Sequence, residues 1–221
     1  MIYKTYKKLL KCLGPQQWWP AETKFEIIVG AILTQQTSWK NVEKAIKNLK
    51  ERNLLSPESM YALELSELEK TIRPAGFYRM KAKKLKNFLE MLFTKYEGNL
   101  NLLLQRPKDE LRRELLSVNG IGKETADSII LYAAEKPVFI VDAYTLRLCK
   151  RLGIIDSNEY DEVQKVFQDR LPMDKNLLKE FHALIVEFGK KYCRKRPRCK
   201  ECPLKNDCKH WKAVSKVNKT R

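Results

Sequence analysis

The sequence predicts an all-α fold. Apolar residues recur mostly at helical spacing, no pair of alternating runs suggests two paired strands, and only eight Gly and nine Pro punctuate 221 residues. In chain order, a helix from Lys24 carries Phe25, Ile28, Ala31 and Ile32 and ends near Thr34. A second runs from Trp39 with Val42, Ala45, Ile46 and Leu49. A third starts near Ser66, where Ser66 and Glu69 stand at capping-box spacing. Tyr78 to Tyr96 carries Ala82, Leu85, Leu89 and Leu92 on one stripe. Pro107 opens the next helix, because its locked φ suits a first turn, and that helix ends near Val118. Asn119-Gly120-Ile121-Gly122 then turns into a helix from Lys123 to about Ala134. Residues 138–141 read as extended, and Asp142 opens a helix over Ala143–Leu152 that Gly153 ends. Helices over 159–170 and 174–191 precede a cysteine-rich loop.

The chain carries 44 Lys+Arg against 27 Asp+Glu, a net charge of +17. A polyanionic partner explains that excess, and a solvated lysine-rich surface is the plain alternative. The longest apolar run, Ile27 to Leu33, is broken by Gly30 and is far too short to span a bilayer. The lysine-rich N-terminus has no apolar signal core, so a reducing, cytoplasmic location is expected, with the six cysteines as metal ligands and buried thiols rather than disulfides.

Cys193, Cys199, Cys202 and Cys208 stand at C-x5-C-x2-C-x5-C spacing among Lys and Arg. Four thiolates on one short loop can enclose a single metal centre, an iron–sulfur cluster or zinc. Cys12 and Cys149 lie outside the loop and are expected to be small buried residues. At the turn, glycines let the backbone approach a ligand, and the helix from Lys123 offers N–H groups to a phosphate. Such a hairpin grips the DNA backbone without reading sequence; an ordinary helix–Gly–helix corner has the same pattern.

The hairpin, then Asp142 in Phe139-Ile140-Val141-Asp142-Ala143-Tyr144, then four cysteines about 50 residues on, resemble in their order the endonuclease III branch of the helix-hairpin-helix DNA glycosylases. The resemblance covers about Trp18 to Cys208. It implies two helical lobes with a DNA cleft between them. Residues 22–134 form a six-helix barrel with the hairpin at 117–124, and 1–21 with 135–221 form a second lobe holding a [4Fe–4S] cluster in loop 193–208. The family's first cysteine spacer is six residues, whereas here it is five.

Bifunctional members resemble L-P-G-V-G-x-K-T-A, where the lysine attacks the sugar. This chain reads V-N-G-I-G-K-E-T-A, so Glu124 takes the nucleophile's place and Lys123 falls one position early, about 100° around the helix. Lys123 is then expected to face phosphate, which argues against lyase chemistry. Trp18-Trp19-Pro20, Lys24-Phe25-Glu26, Leu33 to Thr37, Arg73 to Tyr78 and Phe181-His182 look most like the 3-methyladenine DNA glycosylase subgroup. That resemblance implies a base pocket of Trp19, Pro20 and Trp39, with Glu124 lining it or facing solvent. Gln36 fills the hole left by an extruded nucleotide, Phe77 wedges the opposite strand, and Gly120, Gly122 and Lys123 meet the DNA backbone.

Trp19 and Trp39 are expected to sandwich a cationic purine. Asp142 is expected to stabilise the developing sugar cation and orient the attacking water; as a helix N-cap it also has a purely structural reading. Lys81, Lys83, Lys84, Arg194, Lys195, Arg196 and Arg198 are further phosphate-contact candidates, and His182 packs or bonds within its helix. The implied function is a monomeric, monofunctional base excision repair enzyme, prokaryotic and nucleoid-associated, that acts on double-stranded DNA containing a damaged base and involves no membrane. Its substrates are alkylated purines such as 3-methyladenine. Thymine or uracil mismatch specificity, an endonuclease III-like glycosylase and lyase, and a non-catalytic iron–sulfur DNA-binding protein are the alternatives.

Overall fold

The computed structural model describes residues Met1–Val217, and helix is the only regular structure among them. The α-helices are α1 (Ile2–Leu13), α2 (Lys24–Leu33), α3 (Trp39–Glu51), α4 (Pro57–Ala62), α5 (Leu65–Thr71), α6 (Tyr78–Tyr96), α7 (Leu100–Gln105), α8 (Lys108–Ser117), α9 (Lys123–Ser128), α10 (Ala143–Leu152), α11 (Tyr160–Gln168), α12 (Lys175–Lys191) and α13 (Lys209–Val217). None of the described helices is long and apolar enough to cross a membrane. The chain divides into two compact units, Trp19–Lys136 and Met1–Trp18 together with Pro137–Arg221.

In the unit Trp19–Lys136, α2 is buried on almost every side, from Phe25 through Leu33. Ile28, Ile32 and Leu33, with Leu49, Leu68, Leu85, Phe88 and Leu89 from α3, α5 and α6, are all closed to solvent. A charge inside such a core needs partners. Glu26 has them: Lys50 Nζ lies 3.0 Å from its Oε1, and the Glu22 N–H donates to its Oε2 at 3.0 Å. Thr23 caps α2 by accepting from the Glu26 N–H at 3.1 Å. Arg112 on α8 forks onto the fully buried Asp127 of α9, Nε to Oδ1 at 2.7 Å and Nη2 to Oδ2 at 3.2 Å.

In the other unit, α1 packs on α12, and α10 packs on α12 and α13. Phe139 stacks on Phe167 with ring centroids 4.1 Å apart, and Phe181 closes the cluster. A Cβ on Gly189 of α12 would overlap the Tyr144 ring of α10, so glycine sets how closely these helices approach.

Three expectations need correction. Ser66 caps nothing, because α5 starts at Leu65 and Glu64 is its N-cap. The capping box lies at Ser56 and Ser59 before α4, with Ser rather than Glu in the reciprocal position. Cys12 is exposed, whereas Cys149 is buried. The buried face of α1 runs through Ile2, Thr5 and Leu9; Cys12 continues that spacing but stands in the last turn, where it is exposed. The helix from Lys123 does not run on as a regular α-helix: after α9 it passes into a π turn over Ile129–Ala133, all buried.

Candidate active site

The hairpin between α8 and α9 is anchored by Val118 and Ile121, both buried, with the Ile121 N–H donating to the Val118 carbonyl at 3.0 Å. Gly120 adopts φ +99, and a Cβ there would overlap the stem of Lys84. Gln35 braces the turn by donating to the Gly120 carbonyl at 3.1 Å and to Thr125 Oγ1 at 3.0 Å. Lys84 Nζ donates to Gln35 Oε1, and Asn87 donates to the Asn119 carbonyl at 3.0 Å. The two glycines therefore differ. Gly122 has φ −92, open to any residue, and nothing lies within 4 Å of a Cβ built on it. Gly120→Ala is expected to lower stability by about 1–2 kcal/mol and to weaken duplex binding, while Gly122→Ala leaves stability within about 0.5 kcal/mol of the parent. Thermal melts with fluorescence-anisotropy titrations of duplex DNA check both.

Two of the lysines offered as phosphate contacts are otherwise engaged. Lys84 is tied to Gln35. Lys81 is 2% exposed and donates to the Ala75 carbonyl at 2.8 Å, and burial, then the charge of Lys84, lowers its pKa to about 8. Helical spacing puts Lys81 on the same face as Leu85 and Phe88, which the charge of a lysine conceals in the sequence. Lys83, Lys123 and Glu124 are exposed, the last two in the first turn of α9.

Gln36 and Phe77 share an unusual backbone. Both are exposed, Phe77 to 61%, and both have positive φ, 55 and 45. For a bulky side chain that conformation costs about 1–3 kcal/mol, and it persists only where the surroundings enforce it.

Trp19 and Trp39 touch, but not as parallel plates. Their ring centroids are 5.3 Å apart with planes at 88°, and Trp19 also lies 5.2 Å from the Tyr132 ring. Gly30 lets the Trp19 indole seat directly on α2. The edge-to-face arrangement follows the ring quadrupoles and leaves no slot between the two indoles, so the expected sandwich is replaced by a half-buried aromatic corner with Pro20 exposed beside it.

Asp142 lies in the other unit and is 8% exposed. It caps α10: its Oδ1 accepts from the Thr145 N–H at 2.7 Å and from the Thr145 hydroxyl at 2.9 Å. Its Oδ2 lies 3.9 Å from His182 Nε2. Burial lowers the His182 pKa against a smaller opposing pull from Asp142, which keeps the imidazole neutral at pH 7. His182 thus faces Asp142 rather than bonding only within its helix, and the Trp18 ring lies 5.8 Å from it. Sequence reasoning missed Thr145, His182 and Gln35 as partners; only Thr145, three residues after a capping Asp, carried a local signal.

Cys193, Cys199, Cys202 and Cys208 line one pocket, with Leu148, Arg151 and Phe188 among its walls. Arg151 donates to Cys193 Sγ at 3.2 Å and to the Arg194 carbonyl at 2.7 Å. Burial, together with the neighbouring cysteines, pushes Cys202 up to about 11. Thiols held protonated this way ionise when a metal centre supplies positive charge. Among the described residues, no three His, Cys, Asp or Glu are grouped so as to hold a metal ion.

Comparison with known proteins places this architecture. Residues 29–173 match the family described as HhH-GPD superfamily base excision DNA repair protein. A putative DNA repair glycosylase of Methanocaldococcus jannaschii is 53% identical over 211 residues, 94% of this chain and 96% of that protein. The crystal structure of H. pylori 3-methyladenine DNA glycosylase bound to 1,N6-ethenoadenine has a TM-score of 0.76 at 32% identity, over 86% of this chain and 97% of that one. A trapped endonuclease III–DNA covalent intermediate has a TM-score of 0.84 at 29% identity, over 97% of each chain. With the family model matching most of its length and a braced hairpin between α8 and α9, the chain belongs to the HhH-GPD superfamily of base excision repair DNA glycosylases.

Proposed function

We propose that this glycosylase is monofunctional and hydrolyses the N-glycosidic bond of alkylated purines, such as 3-methyladenine, in double-stranded DNA. The observation that carries the reading is Glu124, an exposed carboxylate on the first turn of α9, at the place of the lysine in the motif of bifunctional members. A carboxylate cannot form a Schiff base. Lys123 lies one position earlier on the same turn, about 100° away.

N-alkylation gives the purine a positive charge, so its bond to C1′ is already weak and the leaving group needs little acid. Such a base stacks against the half-buried Trp19–Trp39 corner, where a cation over an indole gains about 0.5–2 kcal/mol. Gln36 and Phe77 are both exposed on strained backbone: Gln36 fills the gap left in the duplex and Phe77 wedges the opposite strand, which lowers the cost of extruding the nucleotide. As the C1′–N bond breaks, its electron pair leaves with the purine and positive charge gathers on the sugar. The Asp142 carboxylate stabilises that charge and orients the water that adds to C1′. A neutral His182 leaves the negative charge of Asp142 available for this. Gly120, Gly122 and Lys123 hold the DNA backbone.

The four cysteines are assigned to a [4Fe–4S] cluster. What supports the cluster over zinc is the set of four cysteines lining a common space on one short loop, in an order that resembles the endonuclease III branch. Bound by these four thiolates, a cluster would tie loop 193–208 together, and Arg151 holds that loop through Cys193 and Arg194.

Incubation with methylated DNA is expected to release 3-methyladenine, detected by chromatography of the freed bases. Borohydride is expected to trap no covalent adduct from the parent protein. Efficient trapping that Lys123→Met abolishes overturns the monofunctional assignment, and no base release from a panel of single-lesion duplexes overturns the enzymatic one.

A further inference from the structure

Lys81 is out of place as a surface lysine. At 2% exposure it occupies a core position of α6, where Met or Leu would pack as well and carry no charge. A buried ammonium is retained at a cost unless its donor is used. Its Nζ donates at 2.8 Å to the carbonyl of Ala75, which is itself fully buried at the end of the 3-10 turn Arg73–Ala75. The next two residues both have positive φ, Gly76 at 66 and Phe77 at 45. The backbone N–H of Lys81 then donates to the Phe77 carbonyl at 3.1 Å. One residue therefore grips the chain on both sides of the strained segment that carries the exposed Phe77 ring.

We propose that Lys81 is a positioning residue that clamps the Arg73–Phe77 turn and so holds Phe77 in the conformation from which it wedges the duplex. The inference rests on the wedge role given to Phe77 above. Glycine at 76 tolerates its φ, but Phe77 does not relax only because both flanking carbonyls are held. Burial lowers the ammonium, yet with a pKa of about 8 it stays mainly protonated at pH 7, so the grip on Ala75 is a charge-assisted hydrogen bond.

The test uses the full-length protein and a duplex with a tetrahydrofuran abasic analogue opposite 2-aminopurine, whose fluorescence rises when the opposite base is unstacked. Phe77→Ala is expected to slow the stopped-flow rise. Lys81→Met, which keeps the shape and removes the donor, is expected to slow it on the order of tenfold, the equivalent of one hydrogen bond to a charged group. The decisive reading is the double variant: F77A/K81M matches F77A, because a clamp acts only through what it holds. Affinity for undamaged duplex, governed by the hairpin, stays unchanged in K81M. Circular dichroism melts establish folding, and if K81M does not fold, Lys81→Gln, with a donor on a shorter stem, replaces it and falls between parent and F77A. A K81M or K81Q rate equal to the parent, or a loss that multiplies with that of F77A, overturns the clamp while leaving the wedge intact. A parent-like rise in F77A overturns the wedge, and the clamp with it.

Discussion

Asp142→Asn is expected to lower the single-turnover rate of base release by about 10³-fold while leaving thermal stability close to the parent. The substitution separates two roles that one side chain combines. Asn is as good an N-cap as Asp, and its oxygen can still accept the Thr145 N–H and hydroxyl now bound by Oδ1. What it lacks is the negative charge that the proposed reaction needs as the sugar becomes cationic. Asp142→Ala removes cap and charge together and is expected to match the rate loss while also losing about 1 kcal/mol of stability. Chromatographic quantification of released 3-methyladenine, paired with melts of both variants, checks the prediction. A D142N enzyme that turns over normally reduces Asp142 to the cap of α10.

The largest loss of stability is expected from the buried fork between α8 and α9. Asp127 is fully buried, whereas the Arg112 side chain retains 24% exposure. That asymmetry decides which truncation is worse. Arg112→Ala leaves a carboxylate in the interior without the guanidinium that neutralises it, and is expected to lose about 3–5 kcal/mol. In Asp127→Ala the remaining guanidinium can turn towards water, so the loss is expected nearer the lower end of that range. Against a usual total of about 5–15 kcal/mol, either is a large fraction. Replacing both by apolar residues, Arg112→Met with Asp127→Leu, is expected to recover most of the loss, because no charge is then stranded. Urea unfolding midpoints of the three variants give the order directly.

The same distinction between local and long-range causes explains what the sequence disclosed. Long helices with a continuous apolar stripe, such as α6 and α12, are legible because one face repeats over several turns. The six-residue α4 and α7 are too short to repeat anything, and both are fixed by N-caps, Ser56 and Asn99, with ordinary loop composition around them. The π turn lies in Ile129-Ile130-Leu131-Tyr132-Ala133, where every residue is apolar and no polar face marks the register. At the candidate site, residue identities were readable at Asp142, Gly120 and the cysteines. Their partners were not: Lys84 with Gln35, or His182 with Asp142, depend on packing between elements 40 or more residues apart in sequence. The perpendicular contact of the two indoles was likewise hidden, since sequence shows that two rings are near a site but not their mutual angle.

Gly189 offers one more consequence. Because the Tyr144 ring occupies the place of its absent methyl, the spacing of α10 from α12 is set by a hydrogen atom, and Asp142 stands two residues from that ring. Drift at this remote glycine is thereby tethered to the proposed chemistry: a lineage that enlarges position 189 must shrink or reorient residue 144 in step, or shift the helix that Asp142 caps.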